Sequence, residues 1–195
     1  MKRISFKDSG GLNLTQAVLS GRKTITRRAV SEQVEADAMV YAEGKSEYTR
    51  VKFEYILKHS PYKVGEIVAI QQAYKEVYRE LFGATITQTA LKRTAGWWNK
   101  MFVKAELMPH HIRITDVKVE RLQDISDEDC MREGVSPVWD VATEPHQING
   151  YYFAGAYSVY DTPSEAFAAL IDKVSGRGTW QANPLVWCYS FELVD

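Results

Sequence analysis

The octet Gly21-Arg22-Lys23-Thr24-Ile25-Thr26-Arg27-Arg28 sets four basic residues around two threonines. A lysine is a poor base in water because it keeps its proton at neutral pH. Burial, or a second cation nearby, lets it give that proton up and act as a base. Arg22, Arg27 and Arg28 supply such cations around Lys23. A threonine hydroxyl becomes a nucleophile once a base of this kind removes its proton, and Ser–Lys pairs work this way in hydrolases. Lys23 with Thr24 or Thr26 is therefore a candidate base–nucleophile unit. In an unbroken strand Lys23 and Thr26 would point to opposite faces; they converge only if Lys23 belongs to a turn after Gly21. The competing reading is an exposed strand whose cations discourage edge pairing.

Acyl transfer also needs a proton donor, and Glu133 is the candidate. Residues 126–133 read as a short helix, with Ser126 as its cap, Asp129 at the capping-box position and Gly134 ending it. Glu133 stands at the C-terminal end, where the helix dipole opposes a negative charge. Asp129, one turn earlier, adds like charge, so both effects favour the protonated form a general acid requires. A solvated acidic helix is the alternative, supported by Asp124, Asp127 and Glu128. Arg28 suits a phosphate or carboxylate, or an acidic neighbour within the fold.

These residues need elements to position them. KRISF (2–6) reads as a strand and residues 13–21 as a helix stopped by Gly21. The octet then runs from a turn into a strand. Residues 31–50 read as an irregular insertion, VKFEYILK (51–58) as a strand by its alternation, and residues 66–71 as a buried strand. A helical stretch is expected near 75–82, followed by a polar loop. Residues 97–107 fit helix and strand equally. Residues 111–122 form the clearest strand, with a bulge expected at Asp116. Residues 135–160 read as a second insertion, 162–176 as a helix capped by Thr162, and 185–194 as a final strand. Several strands with few helices and no regular β-α-β alternation predict an α+β fold over one domain, a small barrel or strongly bent sheet with flanking helices.

Composition narrows the partners. The formal net charge is −1, so a whole-protein electrostatic grip on nucleic acid is excluded and any anion site is local. No run approaches the roughly 20 apolar residues of a membrane span. MKRISFKDSG has no apolar stretch behind its basic residues, as a signal peptide would, so a cytoplasmic protein is expected. The two cysteines, Cys130 and Cys188, read as reduced, buried small hydrophobes. His59, His110, His111 and His146 have no zinc spacing, and no Gly-rich phosphate loop is present; neither metal nor cofactor is expected. The aromatic residues Tyr151, Tyr152, Phe153 and Tyr157, and the pair Trp97 and Trp98, suit either stacking on a base or packing of the fold.

Gly21, Lys23, Thr26 and Arg28 together resemble the signature of the ASCH domain family, a branch of the PUA-like barrels with the pattern G-x-K-x-x-E-x-R. Thr26 stands where many members carry Glu. That departure is shared by the small bacterial amidohydrolases that deacetylate N4-acetylcytidine. VERLQDISDEDCMREGV (119–135) resembles the strand–loop–helix that follows in such proteins and aligns Glu133 with the catalytic glutamate. Tyr62, Val64, Gly65 and Glu66, with Asn183-Pro184-Leu185-Val186-Trp187, are similar to segments of a longer bacterial and phage subgroup. The resemblance covers about two thirds of the chain and leaves residues 31–50 and 135–160 largely outside. It implies a PUA-like, partly closed β-barrel decorated by two insertions. It also implies Lys23 as proton acceptor, Thr26 as nucleophile and Glu133 as proton donor. Arg22, Thr24 and Arg28, their neighbours in the octet, are the expected substrate-binding residues. The expected substrate is an acylated nucleoside. The alternatives are a non-catalytic RNA or modified-nucleotide binding module, and an RNA-cleaving enzyme.

Overall fold

Residues 1–82, 92–140, 142 and 145–194, which the computed structural model describes, form an α+β fold. The main sheet contains β1 (Lys2–Ile4), β2 (Ile25–Ala29), β3 (Ile67–Ile70), β4 (His111–Arg121) and β7 (Leu185–Leu193). Their spatial order is β1-β3-β4-β7-β2, and only β1 and β3 pair in parallel. A separate hairpin joins β5 (Val135–Asp140) to β6 (Gln147–Phe153).

β1 and β2 are the edges of the sheet and share no ladder among the described residues. Yet the Arg28 guanidinium of β2 donates to the Ser5 carbonyl just beyond β1 and lies over the Phe6 ring. The sheet therefore curls until its edges face one another across a seam, compatible with the expected partly closed barrel. A bulge in β4 contributes to the curl: Ile114 opposes Phe191 while Asp116 opposes Ser190, and the residue between is skipped. Bulges of this kind bend a strand and raise its twist. Ile4, Ile70, Ile112, Ile114 and Phe191 fill the concave side, each such burial contributing about 1.5–3 kcal/mol. The polar atoms of the buried aromatics are satisfied: Trp187 Nε1 donates to Ile56 O at 3.0 Å, and Tyr189 Oη meets Ser60 Oγ at 2.8 Å.

The two regions read as departures from the barrel both contain regular secondary structure among the described residues. Residues 31–50 and 51–58 form a helical hairpin, α2 (Glu32–Ala42) and α3 (Tyr48–Lys58), after the short α1 (Leu14–Leu19). The strand expected at 51–58 is thus a helix. Its buried positions, Lys52 and Ile56, are four apart, and the alternation of Val51, Phe53 and Tyr55 is coincidental. In α2 the buried positions are Ala38 and Ala42, also four apart. Alanines pack a close helix pair without leaving a strong apolar signal, which is why the segment read as irregular. Lys52 Nζ pairs with Glu35 across the hairpin at 2.9 Å.

α4 (Tyr74–Phe82) lies where a helix was expected, and the loop expected beyond it falls partly outside the described residues. Residues 97–107 are neither helix nor strand but a chain of tight 3-10 turns. The second insertion is the β5–β6 hairpin, which tolerates Pro137 because two-stranded sheets are all edge. Its aromatics divide: Phe153 is buried in the core and Tyr151 packs on it, while Tyr152 and Tyr157 are exposed. Further helices are α5 (Asp127–Arg132), α6 (Pro163–Ser175) and α7 (Thr179–Ala182). Thr162 caps α6 as expected, accepting from Glu165 N at 3.1 Å. No described helix is long and apolar enough to cross a membrane.

Candidate active site

The turn after α1 decides where Lys23 points. Gly21 has φ 72°, a left-handed conformation that favours glycine, and its N–H closes α1 on Val18 O at 2.9 Å. Lys23 N then donates to Ala17 O at 2.9 Å and Thr24 N to Arg132 O at 3.0 Å, so the turn is tied to α1 on one side and α5 on the other. β2 begins only at Ile25. Lys23 therefore escapes strand alternation, and it lines the same cavity as Thr26 and Glu133. All three are buried, at 2%, 5% and 5% exposure, which overturns the reading of the octet as an exposed basic strand.

Glu133 is delivered by α5. Ser126 Oγ accepts from Asp129 N at 3.2 Å, and Glu133 N closes the last turn on Asp129 O at 2.9 Å. Gly134, at φ 116°, then turns the chain into β5. Ser126→Ala removes the cap and is expected to lower stability by about 1 kcal/mol, read from the urea midpoint. An unchanged midpoint would mean that tertiary packing alone holds α5.

The Lys23 ammonium donates to three acceptors: Ile25 O at 2.8 Å, Glu133 O at 3.0 Å, and Glu133 Oε2 in a direct ion pair. Burial drives its pKa below the ordinary lysine value, and Arg28 and Arg27 push the same way; Glu133 opposes them without reversing the shift.

Arg27, expected only as a cation that acts on Lys23, has a second role that the sequence did not suggest. Its side chain is buried and reaches Glu120 at 2.6 Å, Asp129 at 2.8 Å and Glu133 Oε1 at 3.3 Å. Lys118 and Arg132 also contact Asp129, at 3.4 and 3.1 Å. Arg27 thus stands between Asp129 and Glu133, and the bare like-charge repulsion expected of that pair is screened by a shared cation. Nothing local marks it, since its three carboxylates lie far along the chain. Glu120, Asp129 and Cys188 bring their ligand atoms within 4.8 Å of one another, a grouping that could hold a metal. Here Arg27 and Lys118 already engage both carboxylates, and burial lifts the Cys188 thiol to about 12, away from the thiolate a metal binds. The cluster fits an ion-pair network rather than a metal centre.

The cavity, about 960 Å³, lies in the seam between β1 and β2. Its walls come from residues 5–9 after β1, from the turn and β2, from α6 through Phe167, Leu170 and Ile171, and from the Trp98–Lys100 turn. Among the expected contact residues, Arg28 lines it. Arg22 and Thr24 do not: Arg22 is exposed and donates to Ser20 Oγ at 3.2 Å, and Thr24 Oγ1 accepts from Arg132 Nε at 3.2 Å.

No family model matches the chain, and no curated protein matches it. Among solved structures, the crystal structure of protein EF3133 from Enterococcus faecalis V583, of the DUF984 family model, is similar over 100% of this chain and 77% of that chain. The identity is 17% and the TM-score 0.42.

Proposed function

We propose that the protein is an amide hydrolase of the ASCH type acting on an acylated nucleoside in the cytoplasm, N4-acetylcytidine being the first substrate to test. The carrying observation is the buried contact of Lys23 Nζ with Glu133 Oε2 on a cavity that Thr26 shares. One proton crossing that contact converts the ion pair into a neutral amine beside a carboxylic acid, which are the base and the acid the reaction needs. Lys23 then takes the proton from Thr26 Oγ as the oxygen bonds to the acyl carbon. Glu133 gives its proton to the leaving amino nitrogen as the C–N bond breaks. Water, deprotonated by the same pair, hydrolyses the threonyl ester, releases the acid and restores Thr26. Neutral chemistry of this kind suits a site where a bare charge is costly.

A second reading rests on the same atoms. The three ammonium protons of Lys23 have three acceptors, so Lys23 also serves as a strut that fixes Glu133, and the cavity would then bind a nucleotide without reaction. Incubation with N4-acetylcytidine and chromatography of the released cytidine decides between them. Release by the native protein, abolished in Thr26→Val, supports the hydrolase. Release that survives Thr26→Val removes the threonine nucleophile. No release, together with tight binding of the intact compound, selects the binding module.

A further inference from the structure

Trp97 and Trp98 are adjacent in sequence and opposite in environment. Trp97 is 6% exposed and packs beside Tyr78 with ring centroids 5.7 Å apart, whereas Trp98 is 71% exposed and lines the mouth of the cavity. A tryptophan left in water at a cavity entrance forgoes the burial that usually stabilises it. Met101 and Phe102, in the next turn, are exposed as well. Apolar lips of this kind mark binding surfaces.

The lip is held in place. Trp97 anchors one end in the core. Lys100 fixes the other, its ammonium bonded to Phe6 O and, at 2.6 Å, to Asp8, and its carbonyl accepting from Gln71 Nε2 at 3.0 Å. Asn99 Oδ1 accepts from Met101 N at 2.9 Å between them. Trp98 is thus presented on a braced turn, where stacking costs little further ordering.

Charge chooses the occupant. The Lys75 ammonium lies 4.9 Å from the Trp98 ring centroid. On the cavity wall, Lys7 and Arg28 are held by backbone carbonyls and meet no carboxylate among the described residues. The cavity lining carries five cations against three carboxylates, Asp8, Glu76 and Glu133, and a ring platform beside such an excess of positive charge fits a chain of alternating planar bases and phosphates better than an apolar peptide. Lys23, at 2% exposure, lies on the cavity floor, and Trp98 stands at its opening. A volume of about 960 Å³ also sits at the upper end of the roughly 300–1,000 Å³ typical of small-molecule sites.

We infer that Trp98 is a substrate-binding residue that stacks the base neighbouring the one on the cavity floor, so that a single-stranded oligonucleotide carrying the nucleoside binds more tightly than the nucleoside alone. The inference rests on the nucleoside reading of the site but not on catalysis, and its test uses unacylated RNA. Affinities are measured by competition for cytidine, a cytidine-containing dinucleotide and a single-stranded tetranucleotide. Affinity is expected to rise with length. Trp98→Ala should lose roughly 5- to 150-fold on the longer ligands and leave cytidine unaffected, while Trp98→Phe keeps most of the gain. Length-independent affinity, or an unchanged tetranucleotide affinity in Trp98→Ala, overturns the proposal. Lys23 is intact throughout, so a missing hydrolase activity and a missing platform remain separate results.

Discussion

Lys23→Met is expected to lower turnover by roughly 10²–10⁴-fold, the range contributed by a positioned general base, while the cavity survives. Methionine keeps the unbranched shape and removes the ammonium. The fold should bear this because Glu133 retains Arg27 on Oε1, at 3.3 Å, when Lys23 leaves Oε2. Some stability is lost nonetheless, about 3 kcal/mol for a broken buried pair, so rates must be compared well below the melting temperature. The pH profile carries the sharper information. Burial places the Lys23 pKa below the free value of 10.5. The reactive pair holds one proton between Lys23 and Glu133, so the native rate should fall as pH rises through the midpoint, below 10.5, at which the pair loses it, and this limb should be absent from the residual rate of Lys23→Met. The same shift acts on stability. The folded state disfavours the ammonium, so folding is penalised while Lys23 is charged and strengthens as pH rises through the folded pKa toward the unfolded one. Lys23→Arg, always cationic, should not restore turnover. A variant that folds and turns over like the native protein would reduce Lys23 to a strut.

Much of this geometry was legible in the sequence because it depends on local devices. Gly21 announces the turn that frees Lys23 from strand parity, Ser126 and Gly134 bracket the helix that carries Glu133, and Asp116 marks the bulge in β4. The α2–α3 hairpin was missed because its seam rests on Ala38, Ala42 and the stem of Lys52, residues whose burial leaves no apolar period. The opposite fates of Trp97 and Trp98 were beyond reach for another reason. Tight turns have no repeat from which to infer a face, and the contacts that hold this one, Trp97 with Tyr78 and Lys100 with Gln71 and Asp8, come from distant segments. Arg22 and Thr24 were carried into the contact set by proximity to Lys23 along the chain, and the turn that places Lys23 in the cavity directs them elsewhere.

Arg27→Met is expected to be the most destabilising single change at the site, by about 3–5 kcal/mol, as when one partner of a buried ionic cluster is removed. For a chain of 195 residues that corresponds to a fall in Tm of roughly 6–20 °C. Three carboxylates, Glu120, Asp129 and Glu133, lose the guanidinium they share. Arg27→Lys should recover little, because a single ammonium cannot span the group as a planar fork does. The acid limb fixes the cause. Burial opposes the Asp129 charge, but the Arg27 and Lys118 contacts outweigh it and hold the carboxyl below its ordinary 3.8. A depressed carboxylate contributes stability above its unfolded pKa and loses it as pH falls through the folded value. The native protein should therefore resist acid to below the ordinary carboxylate range, and Arg27→Met should unfold at higher pH. Equal acid midpoints in the two proteins, measured by circular dichroism, would show that the carboxylates turn to solvent when Arg27 is absent. In that case Glu133 would owe its position to Lys23 and the backbone of α5 alone.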